Sequence, residues 1–269
     1  MTIQQYLKQI AGFSNAQIRS MKFTENGICL GGQRARVTTR LSEGDVLEVL
    51  LETKNSSSAH LLSFEQMPDI LYEDADVIAV NKPAGMAVHP SHGHYQDTLA
   101  NQLAYYFRKN TQQVEIHSIG RLDLETSGIV LFARHRAAAA RLSRQREDGR
   151  LQKTYLAICS GIFAERNGTL NGAIAPLPGS LMKMCVSKDG KPAVTHYQVQ
   201  KQYMEAALVQ LTLETGRTHQ IRVHMADAGH PLIGDRLYFA DTDQNADVDA
   251  ENCFTGIKRA ALHASRICF

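Results

Sequence analysis

No stretch of this 269-residue chain reaches the roughly 18 uninterrupted apolar residues of a membrane-spanning helix. The start, Met1-Thr2-Ile3-Gln4-Gln5, also lacks the basic residues and apolar core of a secretory signal. Neither membrane insertion nor export is expected, and a cytoplasmic location is. Cysteine is sparse: Cys29, Cys159, Cys185, Cys253 and Cys268 are scattered, odd in number and never spaced Cys-x-x-Cys, which speaks against a disulfide framework and a zinc site. Excess charge of one sign is missing too, with 29 Lys and Arg against 27 Asp and Glu. A net charge of +2 permits a polyanionic partner without requiring one, so basic residues must cluster to matter. There is no glycine-rich dinucleotide fingerprint or phosphate-binding loop, and His92 with His94, or His219 with His224, lack zinc spacing. No cofactor and no metal are expected.

What is present is enough apolar residue, 43%, for a real core, and a length that suits one or two domains. Residues 1–53 read as a distinct unit. Leu7 to Lys22 carries helical spacing in two short helices, with Phe13-Ser14-Asn15 opening the second, and Gly31-Gly32 and Gly44-Asp45-Val46 punctuate short strands. Residues 54–68, opening Lys54-Asn55-Ser56-Ser57-Ser58, read as a linker, and 69–269 as the main domain. The run Asp241 to Asp249 mimics a calcium loop, but Ala246 replaces its glycine and Asn252 its closing Glu, so a solvated acidic loop is expected.

The most telling segment is Arg121-Leu122-Asp123-Leu124-Glu125-Thr126-Ser127-Gly128, which runs into Ile129-Val130-Leu131-Phe132 as a loop feeds a strand. Catalytic groups tend to sit on such loops, yet spacing alone favours a plain turn aspartate. Thr154 to Cys159 alternates as a strand that puts Tyr155 and Ala157 on one face. Thr218 to Ala228 reads as a helix closed by Gly229, with Ile221, Met225 and Ala228 on its core stripe and Arg222 beside it. Ala133 to Lys153 reads as a helix whose Arg134, Arg136, Arg141, Arg144, Arg146 and Arg150 are opposed only by Glu147 and Asp148, a plausible phosphate track.

The Arg121 to Gly128 segment resembles the signature of the RluA-type pseudouridine synthases, and further matches follow in order. Asn81-Lys82-Pro83-Ala84-Gly85 is similar to that family's Lys-Pro-x-Gly element, Lys153-Thr154-Tyr155-Leu156-Ala157 to its Lys-x-Tyr strand, and Gly190-Lys191-Pro192 to a hairpin. Thr215-Gly216-Arg217-Thr218-His219-Gln220-Ile221-Arg222 looks like its most specific motif; His230-Pro231-Leu232-Ile233-Gly234-Asp235 and Ala261-Leu262-His263-Ala264 come after. Residues 1–53 resemble the small αL RNA-binding domain found in a ribosomal small-subunit protein.

The resemblance implies an α+β pseudouridine synthase fold: a mixed, mainly antiparallel sheet with flanking helices and a central RNA cleft, preceded by the αL domain. It implies that uridines are isomerised, in large-subunit ribosomal RNA above all or in transfer RNA, by a monomer. Asp123 would be the nucleophile or electrostatic partner, Tyr155 the ring that stacks on the flipped base, and Arg222 the compensating cation. Arg121 would fill the gap the base leaves. Lys82, Thr126, Arg217, His219, Gln220, Ile233 and Leu262 would complete the substrate site, with Arg19, Lys22, Arg34, Arg36, Arg144 and Lys153 on RNA phosphates. Two other readings are weaker: a glycosidase-like pair of Asp123 and Glu125, and a non-catalytic RNA-binding or ribosome-assembly protein. Two departures from the pattern stand out. Gly120 replaces the usual His, and the chain ends at Phe269, where relatives continue through a last strand, so a truncated C-terminus is expected.

Overall fold

The computed structural model describes residues 1–13, 15–50, 61–91, 93–112, 114–180, 182–239 and 256–269. Ser14, His92, Cys253, the acidic run 241–249 with Asn252, and residues 54–60 of the expected linker lie outside them. The described residues form five α-helices and fourteen β-strands. They group into two compact units, Met1–Val80 with His89–Gly120 and Leu131–Asp148, and Asn81–Val88 with Arg121–Val130 and Gly149–Phe269.

The first unit opens with α1 (Ile3–Gln9) and α2 (Asn15–Phe23), the two short helices the apolar spacing predicts. Thr2 starts α1 with a reciprocal cap: Gln5 N–H donates to Thr2 Oγ1 at 3.3 Å, and Thr2 N–H donates to Gln5 Oε1 at 2.8 Å. Strands β1 (Ile28–Leu30) and β2 (Gln33–Arg34) make a hairpin, and β3 (Leu47–Val49) pairs with β1 on its other side. Gly31 and Gly32 take φ of 56° and 78°, the left-handed pair that a tight two-residue hairpin turn demands. Ile3, Leu7, Phe13, Ile18 and Met21 bury together, and Ala137 from a later helix joins their cluster.

Next come β4 (Ile70–Glu73), β5 (Val77–Lys82), α3 (Leu99–Lys109), β6 (His117–Ser118), β7 (Ser127–Ala133) and α4 (Arg136–Glu147). β4 and β5 form a bulged antiparallel hairpin, and β6 pairs antiparallel with the end of β7. Residues just past the undescribed segment are held to α3, since Asn101 Nδ2 donates to the Leu62 carbonyl at 2.7 Å. α4 is shorter than the expected Ala133–Lys153 helix. His135 caps it by accepting the Ala138 N–H at 3.2 Å, and Gly149 at φ 71° turns the chain away.

In the second unit lie β8 (Gln152–Ser160), β9 (Asn167–Asn171), β10 (Ile174–Pro176), β11 (Met184–Val186), β12 (Val194–Gln202), β13 (Ala206–Leu213), α5 (Gln220–Asp227) and β14 (Leu262–Cys268). Its sheet runs β7-β14-β8-β13-β12-β9, with β10 and β11 as a separate pair. Only β7 and β14 are parallel among these neighbours, so the sheet is mixed and mainly antiparallel, as expected. Tyr155, Ala157 and Cys159 alternate into the core from β8. The helix expected over 218–228 is corrected at both ends: His219 at φ 56° cannot continue a right-handed helix, so α5 starts at Gln220. Ile221 and Met225 are buried as predicted, but Ala228 is exposed at the turn made by Gly229.

Candidate active site

The Arg121–Val130 segment is fixed from both sides within the second unit. Thr126 N–H donates to the Asp123 carbonyl at 3.1 Å, closing the turn that spacing alone suggests. Fully buried Lys82 donates all its ammonium hydrogens to carbonyls: Pro83 at 2.9 Å, Met86 at 2.7 Å and Leu124 at 3.1 Å. Burial pushes its pKa down to about 8, against the pull of Asp123. On the other side Arg259 donates to the Glu125 carbonyl at 3.2 Å and to Ser127 Oγ at 3.2 Å, while Glu125 Oε2 accepts the Ala260 N–H at 3.3 Å. Gly128, at φ 110°, lies so close to β14 that a Cβ would come within 2.3 Å of the Ala264 carbonyl oxygen, so no side chain fits there. Buried Thr126 is part of this brace, and Glu125 is committed to Ala260 rather than paired with Asp123 as a second catalytic carboxylate.

Asp123 is half-buried, and its charge acts on five side chains from distant parts of the chain: Lys82, Tyr155, His219, Arg222 and Tyr238. Burial first, then Asp123, holds the Tyr155 hydroxyl above its ordinary range, so the phenol keeps its proton. Arg222, only 5% exposed, binds Asp235 through two 2.7 Å bonds, Nε to Oδ2 and Nη2 to Oδ1. Burial works against its charge; the Asp235 pair, with Asp123 and Glu125 beyond it, more than restores it. The guanidinium also sits 5.1 Å from the Tyr238 ring centre.

Other expected site residues divide by place. Arg121 is exposed beside Asp123, and Arg217 is exposed with Nε donating to the Pro192 carbonyl at 3.0 Å. Ile233 and Leu262 are buried in the core around the sheet. Gln220 is a buried junction: its Nε2 donates to the Val194 carbonyl at 3.0 Å and Thr195 Oγ1 at 3.1 Å, and its Oε1 accepts from Thr215 and the Arg217 N–H at 3.0 Å. His224 joins Thr195 at 2.9 Å and the Gly172 carbonyl at 2.8 Å, tying α5 to β12 and the strand pair beside it. In the first unit Arg19, Lys22, Arg34, Arg36 and Arg144 are exposed, while Lys153 on β8 of the second is partly buried. The expectation that only Glu147 and Asp148 oppose the α4 arginines is corrected. Arg134, just before α4, pairs with Glu73 at 3.1 Å, and on the helix Arg136 pairs with Glu115 at 3.4 Å and Arg141 with Asp76 at 2.6 Å, because the end of β4 and the segments leading into β5 and β6 bring their own carboxylates there.

The model of the RNA pseudouridylate synthase family matches residues 76–227, a span that carries Lys82, Asp123, Tyr155, His219 and Arg222. The chain belongs to that family. It is 35% identical to the uncharacterized RNA pseudouridine synthase YjbO of Bacillus subtilis over 270 residues, covering 100% of this chain and 90% of the relative. It is 36% identical to ribosomal large subunit pseudouridine synthase D of Haemophilus influenzae, covering 82% of this chain and 68% of that protein. Among solved structures, human RNA pseudouridylate synthase domain containing 1 superposes with a TM-score of 0.60 at 28% identity, over 74% of this chain and 77% of that one. The pseudouridine synthase fold expected from the sequence is thus the one observed, and the reaction is the isomerisation of uridine in RNA.

Sequence reasoning gave Asp235, Tyr238 and Arg259 no role in this synthase. One signal was available for Asp235: an Arg on the buried side of a helix needs a carboxylate partner. Lys82 yields a pH prediction. The unfolded chain keeps this lysine protonated up to its ordinary 10.5, so between about pH 8 and 10.5 folding sheds a proton and this group's contribution to global stability rises with pH. The neutral amine, however, has one hydrogen fewer than it has carbonyls to satisfy. Activity is therefore expected to fall above about pH 8 while the melting temperature holds or rises there. In Lys82→Met that alkaline limb should vanish from an already weakened enzyme; an unchanged limb in paired pH–rate and melting profiles would assign it elsewhere.

Proposed function

We propose that this synthase modifies large-subunit ribosomal RNA, working as a monomer in the cytoplasm, and that Asp123 is its catalytic carboxylate. The observation that carries the site assignment is the convergence of Lys82, Tyr155, His219, Arg222 and Tyr238 on one carboxylate. The relatives' names support the RNA class, since several are ribosomal large subunit pseudouridine synthases. Isomerisation breaks the bond between uracil N1 and the ribose, turns the base and rejoins it through carbon five, with no net redox change and no water consumed. Asp123 stabilises or traps the intermediate, the protonated Tyr155 presents its ring to the extruded base, and Arg222 holds a fixed positive charge nearby. Arg121 occupies the space the base vacates. Residues 1–53, with exposed Arg19, Lys22, Arg34 and Arg36, act as an RNA-binding domain on the phosphate backbone. No helix among the described residues is long and apolar enough to cross a membrane.

The test is to map pseudouridines in ribosomal and transfer RNA from cells with and without the gene. Loss of sites confined to large-subunit RNA is the expected result. Loss confined to transfer RNA would move the substrate, and no loss in either would remove the ribosomal assignment.

A further inference from the structure

His219 is the one residue of the convergent group whose backbone sits where L-residues seldom go, at φ 56° and ψ 20° immediately before α5. Such strain persists only where surrounding contacts hold it. Its ring Nδ1 lies 2.9 Å from the Tyr238 hydroxyl, and the two rings meet edge to face. The Tyr238 hydroxyl is in turn 2.9 Å from the Met184 N–H, which can only donate. The phenol oxygen therefore accepts from Met184. Among the described residues, the acceptor left for its own hydrogen is His219 Nδ1. Burial holds the Tyr238 hydroxyl's pKa above its ordinary value, so the phenol keeps the hydrogen it donates. With Nδ1 accepting, the neutral imidazole carries its hydrogen on Nε2.

Resting on the reading of Asp123 as the catalytic carboxylate, we propose that Tyr238 is a positioning residue that fixes the His219 tautomer, so that His219 offers its Nε2–H to an acceptor oxygen of the substrate nucleotide beside Asp123. The charges facing the ring are Asp123, Arg222, Asp235 and Arg121, and Asp123 acts on it most strongly. Burial lowers the ring's pKa, which keeps it neutral and the tautomer meaningful. An imidazole held this way is a directed donor that adds no second positive charge beside Arg222. The strained backbone then has a purpose, since a right-handed residue at this position would carry the ring away with the helix.

Two substitutions separate a donor from a mere backbone hinge. His219→Gln places an amide N–H about where Nε2 stands, whereas His219→Asn is too short to reach but tolerates the left-handed backbone better. A donor role predicts that the Gln variant keeps more activity than the Asn variant, by roughly tenfold in kcat with little change in KM. A hinge role predicts the reverse order, which would overturn the proposal. Tyr238→Phe should lower kcat by roughly three- to tenfold. In nitrogen-15 spectra of the same variant, the His219 ring should shift from a pure Nε2–H form to a mixture; an unchanged spectrum would show that Tyr238 does not set the tautomer. Transcripts carrying 4-thiouridine or phosphorothioates distinguish a base carbonyl from a phosphate as the acceptor, through a defect that His219→Asn no longer shows. Rates are read on ribosomal and transfer RNA transcripts. An inactive wild type would count against the substrate reading, while the spectra would still decide the tautomer.

Discussion

Replacing Asp123 by Asn is expected to reduce pseudouridine formation at least about 10⁴-fold, to the background of an assay that counts tritium released from carbon five of uridine. That hydrogen must leave when carbon five takes the bond to ribose, so its release reports the complete isomerisation. The side chain keeps its size, and the turn it starts is closed by its backbone carbonyl to the Thr126 N–H, which the substitution leaves in place. Folding should accordingly change by no more than about 0.5–1 kcal/mol, and RNA binding should persist. What is lost is an oxygen anion able to trap or stabilise the intermediate, at the point on which a lysine, an arginine, a histidine and two tyrosines converge. Asp123→Ala should behave alike. A variant that turns over normally would remove Asp123 from the chemistry, and release of free uracil by the wild type would favour a glycosidase reaction instead.

Asp235→Ala is expected to destabilise the protein by about 3–5 kcal/mol, because it strands the Arg222 guanidinium in a buried site after removing both of its short bonds. For a chain of this size that corresponds to a fall in melting temperature of roughly 6–20 °C. The backbone would suffer as well, since Asp235 Oδ1 also accepts the Leu237 N–H at 3.0 Å. A second variant tests whether the pair serves stability or chemistry. Replacing Arg222 by Met and Asp235 by Leu together removes both charges and should restore most of the melting temperature, since well-packed apolar residues often match a buried ion pair. Activity should stay absent, as the buried Arg222 cation that interacts with Asp123 is then gone. Wild-type melting in Asp235→Ala would show the pair to be energetically idle, and an active double variant would show the cation to be dispensable.

How far the site could be read in advance depended on whether its parts are local in sequence. The loop before β7, the inward face of β8 and the buried residues of α5 follow from alternation, helical spacing and turn chemistry, and all were legible. Gly128 was recognisable as a turn residue, but the reason for it, the backbone of Ala264 pressed against it, comes from a strand 136 residues away. The same holds for Asp235 beneath Arg222 and for the carboxylates that absorb half of the α4 arginines: spacing reveals which residues share a face, not what another element brings to it. His219 was the hardest, for a histidine in the left-handed region leaves no periodic trace and instead makes the helix look two residues too long.

The grip of Arg259 and Ala264 on the Asp123 loop also sets an order of events during synthesis. A chain emerging from the ribosome displays Lys82, Asp123 and Tyr155 long before residues 259–264 exist to brace them. Strand β8 meanwhile waits for its β14 neighbour across more than a hundred residues. Closing contacts that span so much chain is slow and comes late. Exposed Arg19, Lys22, Arg34 and Arg36 are thus displayed early, whereas the loop that carries Asp123 gains its brace only when β14 docks.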